Sequence, residues 1–168
     1  MSFFFQKAKK QLFAPVNGEL IPLKDVPDDD FASGMLGAGF AIEPINDAVY
    51  SPVKGVVNSI LPSKHAIGIK SGSLEVLVHM GIDTYTMEGV PFKLNVAVGD
   101  HVKPTTQLAT MNRAEIRESG KPVTTMVSIM NSRDAVADFE VSPLNGIMAH
   151  GQPIAVAKED QRALASVH

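Results

Sequence analysis

Two short segments separated by turn residues constrain the fold more than any other stretch of the sequence. Residues 65–69 and 74–78 are rich in apolar side chains, and Ser71-Gly72-Ser73 lies between them. Glycine permits a positive φ, and serine can hydrogen-bond to its own backbone, so this is the chemistry of a tight turn. The pattern predicts a β-hairpin over residues 63–83, and therefore a protein built on antiparallel strand pairing.

The predicted hairpin carries one histidine on each arm, His65 and His79. If the loop has three residues, Gly72 is its centre and the two histidines lie directly opposite each other. Directly opposed residues of an antiparallel pair hold their Cβ atoms roughly 4.5–5.5 Å apart. Both imidazoles would then reach one small group.

Three readings of this histidine pair follow from the residues alone. A neutral imidazole is a good nucleophile near pH 7, so one ring could carry a phosphoryl group while the other donates an N–H to its oxygens. The same pair could supply two ligands of a zinc site. The third reading is two strand-end histidines with no shared role, and spacing alone favours it.

Glycine and proline punctuate short apolar segments along the whole chain of 168 residues, which contains 13 Gly and 11 Pro. Three segments share the order small residue, proline, aliphatic, polar, glycine, and each precedes a short apolar run. They are Ala14-Pro15-Val16-Asn17-Gly18, Ser51-Pro52-Val53-Lys54-Gly55 and Ser142-Pro143-Leu144-Asn145-Gly146. These corners predict three equivalent strand entries, and an all-β sandwich or barrel is the fold class that fits them.

The length predicts one domain, which we assign to residues 14–168. Residues 1–13 differ in composition, because three phenylalanines precede Lys7, Lys9 and Lys10. We expect a flexible N-terminal tail or the opening of the first strand. A weak contact of this segment with an anionic membrane surface is the alternative.

Charge and missing motifs exclude several classes of function. The net charge is −3 and no basic run follows the N-terminal lysines, so no nucleic-acid partner is expected. The absence of cysteine suits a reducing cytoplasm, and neither a secretory signal nor a membrane-spanning run is expected. The sequence also lacks a G-x-x-x-x-G-K-[ST] phosphate loop, a G-x-S-x-G elbow and an H-E-x-x-H motif.

One helix is predicted, over residues 112–120. Asn112 can cap its start, Glu115 can close a capping box, and Gly120 can end it. The acidic run Asp28–Asp30 is expected to be a solvated loop.

Taken together, these residues resemble the glucose-type IIA phosphocarriers of the bacterial sugar phosphotransferase system. The resemblance extends over nearly the whole chain. It is carried by the first two of these corners, by Asp25-Val26-Pro27-Asp28 with Phe31-Ala32, by the His-Ala pair at 65–66, by the Phe-Lys pair at 92–93 and by the turn Val98-Gly99-Asp100. Its most specific part is Val78-His79-Met80-Gly81-Ile82-Asp83-Thr84 after an apolar strand. The resemblance implies a β-sandwich with a duplicated hybrid motif, which agrees with the repeated corners.

The same resemblance implies roles for the residues around the histidines. His79 would accept the phosphoryl group, His65 would bind the phosphoryl oxygens, and Ser63 would hydrogen-bond the second ring in place of the threonine usual in the family. Two acidic residues, Asp28 and Asp83, would flank the site and face basic residues of partners. The surrounding exposed apolar contact patch would comprise Phe31, Met35, Leu36 and Leu77.

The sequence departs from the family pattern in two places. The hairpin turn is one residue shorter than usual, and Leu77 and Met80 replace positions that are often aromatic. Neither change affects the imidazoles, but both bear on partner recognition.

We therefore expect a cytoplasmic phosphocarrier without cofactor or metal. It would take phosphate from the histidine phosphocarrier protein, pass it to a cysteine of a IIB domain, and bind regulatory target proteins. A zinc-dependent hydrolase is one alternative, although the His-x-His of such enzymes is absent. A biotinyl or lipoyl carrier would need a Met-Lys-Met tip, which is also absent, and a purely regulatory binding module is the third alternative.

Overall fold

The computed structural model describes residues 9–143 and 145–162, and β-strands dominate this part of the chain. In chain order the strands are β1 (Lys9–Phe13), β2 (Gly18–Ile21), β3 (Ala38–Pro44), β4 (Ala48–Tyr50), β5 (Gly55–Ile60), β6 (Ala66–Ser71), β7 (Leu74–Met80), β8 (Phe92–Leu94), β9 (His101–Val102), β10 (Gln107–Met111), β11 (Thr125–Ile129), β12 (Val136–Val141), β13 (Ile147–Met148) and β14 (Pro153–Glu159). The helices are α1 (Asp29–Ala32), α2 (Arg113–Glu118) and α3 (Ser132–Ala135), with 3₁₀ helices at Leu23–Asp25 and Thr84–Met87. Within the described ranges, no helix has the length and apolar character to cross a membrane.

The strands form three antiparallel sheets arranged as a sandwich. The largest has the order β13-β2-β3-β11-β7-β6-β5-β9, and the two three-stranded sheets have the orders β1-β14-β12 and β4-β10-β8. All three sheets contribute to one hydrophobic core, for example through the wholly buried Leu12, Val78 and Leu108. The predicted all-β sandwich is confirmed, and its core places β7 in the interior of the large sheet.

The predicted hairpin exists as β6 and β7, but its predicted register is wrong by one residue. Ser71 pairs with Leu74 and Ala66 pairs with His79, so the loop contains two residues rather than three. Gly72 has a φ of 60° and is the first of these two residues, which fits the type II′ turn that tightly twisted hairpins prefer. His79 therefore lies opposite Ala66 and not opposite His65.

The three predicted corners are strand entries. Strands β2 and β5 begin at the glycines of the first two corners, and β13 begins directly after the glycine of the third. The first two corners lie against each other, since the Tyr50 N–H donates to the Pro15 carbonyl at 2.7 Å and the Phe13 N–H donates to the Pro52 carbonyl at 2.8 Å. The related sequences thus produce related backbone positions.

The last five residues of the predicted flexible tail, 9–13, form a strand instead. Residues 9–13 form β1, which pairs with β14, and Leu12 in this strand is completely buried. This part belongs to the sandwich because it pairs with β14 along its length and directs Leu12 into the core. The remainder of the predicted tail, residues 1–8, lies outside the described residues.

The predicted helix is α2, and half of its predicted capping box is present. The Asn112 side chain accepts the Glu115 N–H at 3.1 Å, and Gly120 follows the helix with a φ of 81°. The reciprocal half differs, because the Asn112 N–H donates to the Pro91 carbonyl at 2.8 Å. Two further one-turn helices, α1 and α3, were not predicted.

The acidic run Asp28–Asp30 is not the solvated loop that was expected. The Asp28 side chain accepts the N–H groups of Asp30 at 3.0 Å and Phe31 at 3.4 Å and so caps α1. A carboxylate is a strong N-cap because it satisfies N–H groups that a helix start leaves free. The acid run therefore starts a helix that leads directly into the functional site.

The turn of the β6–β7 hairpin is fixed by side chains from distant parts of the chain. Glu159 is only 2% exposed, and it accepts the Ser73 hydroxyl at 2.6 Å and the Ser73 N–H at 3.3 Å. Lys10 Nζ lies 3.7 Å from the same carboxylate. The Asn131 side-chain amide also donates to the Ser73 carbonyl at 2.8 Å, so three other strands or loops hold this turn.

We expect Ser73→Ala to lower the free energy of unfolding by about 1–3 kcal/mol, because it removes a hydrogen bond to a buried carboxylate. Urea unfolding monitored by circular dichroism measures the change. Ser59→Ala is the matched control, since Ser59 is exposed and its loss should cost no more than about 0.5 kcal/mol. Equal stabilities of the two variants would contradict this account of the turn.

Candidate functional site

His79 lies at the end of β7, half-buried, with one ring nitrogen already bonded. Its Nδ1 atom is 2.9 Å from the Gly81 carbonyl oxygen. A carbonyl can only accept a hydrogen bond, so Nδ1 carries the proton and donates it. In the neutral ring the lone pair is then on Nε2, and this is the atom available to attack an electrophile.

The Gly81 carbonyl reaches His79 because the chain turns sharply after β7. Gly81 has a φ of 77°, which an L side chain rarely adopts, and a Cβ atom there would collide with Thr84. The Gly81 N–H donates to the Thr124 carbonyl at 3.0 Å, and the Thr84 hydroxyl donates to the Met80 carbonyl at 2.6 Å. Three residues of the motif noted in the sequence, Met80, Gly81 and Thr84, thus hold one carbonyl in place together with Thr124.

His65 comes from the loop between β5 and β6, and its ring meets that of His79. The ring centroids are 4.9 Å apart with the planes at 78°, although the two residues are not directly opposed. Lys64 has a φ of 58°, a left-handed conformation that re-aims the chain immediately before the strand. The His65 carbonyl accepts the Met80 N–H at 2.8 Å, which fixes the backbone of His65 beside the end of β7.

The interaction expected of Ser63 is not formed. His65 is 7% exposed, and its Nδ1 atom is buried without a hydrogen-bond partner among the described residues. Ser63 is half-buried in the same loop, and within the described ranges its hydroxyl bonds to neither imidazole. The His65 ring therefore lacks the side-chain hydrogen bond that the resemblance implied for it.

Burial keeps both imidazoles neutral. Burial, the larger cause, and the neighbouring His65 together lower the pKa of His79 to about 4. The Gly81 carbonyl, Asp28 and Asp83 act the opposite way but do not compensate. Burial also lowers the pKa of His65, so at pH 7 the site presents two uncharged rings.

The two predicted acids are placed differently around the pair. Asp28 is half-buried and caps α1, whereas Asp83 is exposed and has a left-handed φ of 59°. Each raises the pKa of His79, which shows that both carboxylates lie close enough to act on the ring. They give the rim of the site a negative potential.

The structure contradicts the predicted exposure of one residue of the apolar patch. Phe31 is only 2% exposed, and its ring lies edge-on to His79 with centroids 5.0 Å apart. It belongs to the core because the Asp28 cap turns α1 inward. Met35 is 69% exposed and Leu36 and Leu77 are half-buried, so a contact patch formed by these three stays a prediction.

Sequence analysis missed one aromatic residue of the site, Tyr85. Its ring centroid is 6.2 Å from that of His65, and its side chain is 57% exposed. The signal was an aromatic residue directly after Asp83-Thr84, at the end of the most specific motif. The described residues contain no group of three or more His, Cys, Asp or Glu that could hold a metal ion, so the zinc reading lacks a third ligand there.

Comparisons with known proteins identify the family of this chain. The model of the family described as "phosphoenolpyruvate-dependent sugar phosphotransferase system, EIIA 1" matches residues 10–135. A "PTS system glucose-specific EIIA component" of Staphylococcus aureus (strain COL) is 37% identical over 138 residues, which are 82% of this chain and 82% of that relative.

Two further similarities concern a longer protein and a solved structure. A "PTS system glucose-specific EIICBA component" of Streptococcus pneumoniae serotype 4 is 39% identical over 146 residues; the match covers 86% of this chain but only 20% of that relative. The solved structure of glucose permease IIA from Mycoplasma capricolum superposes with a TM-score of 0.79 at 28% identity, covering 89% of this chain and 96% of that one. The resemblance found in the sequence is confirmed, and the chain belongs to the EIIA 1 family of the phosphoenolpyruvate-dependent sugar phosphotransferase system.

Proposed function

We propose that this chain is a phosphocarrier for sugar uptake that holds the phosphoryl group on Nε2 of His79. The observation that carries the proposal is the hydrogen bond from Nδ1 to the Gly81 carbonyl, at 2.9 Å. It reserves Nε2 as the nucleophile without any other base. The low pKa of the ring, about 4, supports the proposal because the attacking form is then fully populated at pH 7.

In the proposed reaction the donor is the phosphorylated histidine phosphocarrier protein. Its P–N bond breaks as a P–N bond forms at Nε2 of His79, and the electron pair returns to the donor imidazole. The proton stays on Nδ1 and is donated to the Gly81 carbonyl, and the carbonyl oxygen stabilises the positive charge that develops on the ring. Little covalent chemistry remains for the protein, so positioning and electrostatics make up its contribution.

The second transfer would pass the phosphoryl group to a cysteine of a IIB domain. A P–S bond forms as the bond to Nε2 breaks, and the imidazole of His79 becomes neutral again. His65, 4.9 Å away between ring centroids, would donate an N–H to the phosphoryl oxygens in both steps. Ser63 would act only through the loop that carries His65.

Partners would dock on the residues that surround the two histidines. Met35, Leu36 and Leu77 would supply apolar contacts, while Asp28 and Asp83 would face basic residues of the partners. Both partners must reach the same nitrogen, so their binding surfaces overlap around His79.

The name of the Streptococcus relative joins EIIC, EIIB and EIIA in one component, which supports a IIB domain as the acceptor. The relay would operate in the cytoplasm.

Substitution of each histidine should have a different effect on phosphoryl transfer. We expect His79→Gln to take up no phosphate from the phosphorylated carrier. His65→Gln should still be phosphorylated but should pass phosphate to a IIB domain roughly ten- to a hundredfold more slowly, the effect of one charge-assisted hydrogen bond. Rapid-quench kinetics with labelled phosphoenolpyruvate measures both steps.

His101→Gln is the matched control, because His101 is exposed on β9 and outside the site. Normal labelling of His79→Gln would show that another residue is the acceptor. Unimpaired onward transfer by His65→Gln would remove His65 from the mechanism while leaving the acceptor assignment intact.

Burial of a neutral His79 predicts a pH dependence of stability. The folded-state pKa is about 4 against about 6.5 unfolded, so between these values the unfolded chain binds more protons. Stability should be full above about pH 6.5 and should fall as the pH drops towards 4, by at most about 3 kcal/mol from this residue. Urea unfolding at several pH values, with His79→Gln as reference, isolates the contribution. An equally steep loss in His79→Gln would contradict it.

The exposed patch should affect binding without affecting stability. Met35 is 69% exposed, so Met35→Lys should leave the Tm within about 2 °C while weakening docking of the carrier about tenfold or more. Calorimetric titration with the unphosphorylated carrier measures the affinity. Ile147→Lys is the control, since Ile147 is 60% exposed on β13, four strands from β7. A large loss of Tm in Met35→Lys would instead assign this residue a structural role.

A further inference from the structure

Four rings form a continuous row from the core to the surface. The centroid distances are 5.0 Å from Phe31 to His79, 4.9 Å from His79 to His65, and 6.2 Å from His65 to Tyr85. Phe31 is 2% exposed and Tyr85 is 57% exposed. Each imidazole therefore has one further aromatic neighbour besides the other imidazole.

The two imidazoles are anchored by different means. His79 donates from Nδ1 to a backbone carbonyl, so a directional bond fixes its ring plane. His65 has a buried Nδ1 with no partner in the described part of the chain, and only its backbone is tied, through the bond to the Met80 N–H. The orientation of the His65 ring therefore depends on the side chains packed against it.

Tyr85 is exposed, but its backbone is held on both sides. The 3₁₀ helix Thr84–Met87 lies between two left-handed residues, Asp83 and Glu88, and the Thr84 hydroxyl bonds to the carbonyl of Met80. After the helix, a Cβ atom added at Gly89 would lie 3.3 Å from Cδ of Lys64. The segment that carries Tyr85 is thus bonded to the end of β7, and the chain directly after it lies beside the loop that carries His65.

We propose that Tyr85 is a positioning residue for His65. Its ring packs against the imidazole and takes the place of the missing hydrogen bond, so that His65 keeps the orientation in which it can reach a phosphoryl group on His79. This inference rests on the proposed phosphocarrier function. The aromatic ring performs the task and the phenol hydroxyl does not, since the contact with His65 is between the two rings.

The test compares Tyr85→Ala with the conservative variant Tyr85→Phe. We expect Tyr85→Ala to slow phosphoryl transfer to a IIB domain roughly two- to tenfold, the effect of losing one aromatic contact, and Tyr85→Phe to behave as wild type. In a His65→Gln background Tyr85→Ala should have no further effect. In NMR spectra of the unphosphorylated protein, Tyr85→Ala should shift the His65 ring protons and leave those of His101 unchanged.

Each opposite result overturns the inference. An equal loss in the His65→Gln background would make Tyr85 a partner-docking residue, and an equal loss in Tyr85→Phe would assign the effect to the hydroxyl. Unshifted His65 signals in Tyr85→Ala would show that the rings do not pack in solution. If wild-type protein transfers phosphate and Tyr85→Ala is unimpaired, only this inference fails. If the wild-type protein accepts no phosphate, the proposed function fails and the role of Tyr85 in transfer fails with it.

Discussion

The site depends on one hydrogen bond, from Nδ1 of His79 to the carbonyl of Gly81 at 2.9 Å. It selects the tautomer of the ring and hence the nitrogen that can react. The acceptor is a backbone atom, so its position is set by the fold rather than by a rotatable side chain. Gly81 has a left-handed φ, and its N–H donates to the Thr124 carbonyl on the neighbouring segment. These two features fix the Gly81 carbonyl at the end of β7. A rigid sandwich thus replaces the side-chain acid that orients histidine in many other sites.

Burial outweighs charge around the imidazoles. Two carboxylates, Asp28 and Asp83, favour a protonated His79, yet the pKa is lowered to about 4 because the ring is removed from water and lies beside a second imidazole. The acids therefore do not create an imidazolium in the resting protein. Their negative charges can attract positively charged groups on an approaching protein, as the proposed recognition of basic partner surfaces requires.

Much of this site could be predicted from local sequence, and the errors have tertiary causes. The hairpin, helix α2 and both histidines follow from periodicity, turn chemistry and the specific motif. The predicted register was wrong because two residues, Gly72 and Ser73, are enough to close the hairpin. Ser73 is held there by Glu159, which is 86 residues away in the chain. The rings still meet because Lys64 adopts a left-handed conformation. Burial of Phe31 was missed because it requires the Asp28 cap to form.

The same environment helps to explain how a relay could release what it accepts. In the proposed phosphorylated state, His79 carries a proton on Nδ1 and phosphorus on Nε2, so its ring is cationic. Burial next to Phe31, with the second imidazole 4.9 Å away, disfavours a cation just as it lowers the pKa of the free ring. The Gly81 carbonyl, Asp28 and Asp83 offset only part of that cost. In the proposed relay, the same burial would make the imidazole of His79 a good leaving group, which a carrier placed between a donor and an acceptor requires.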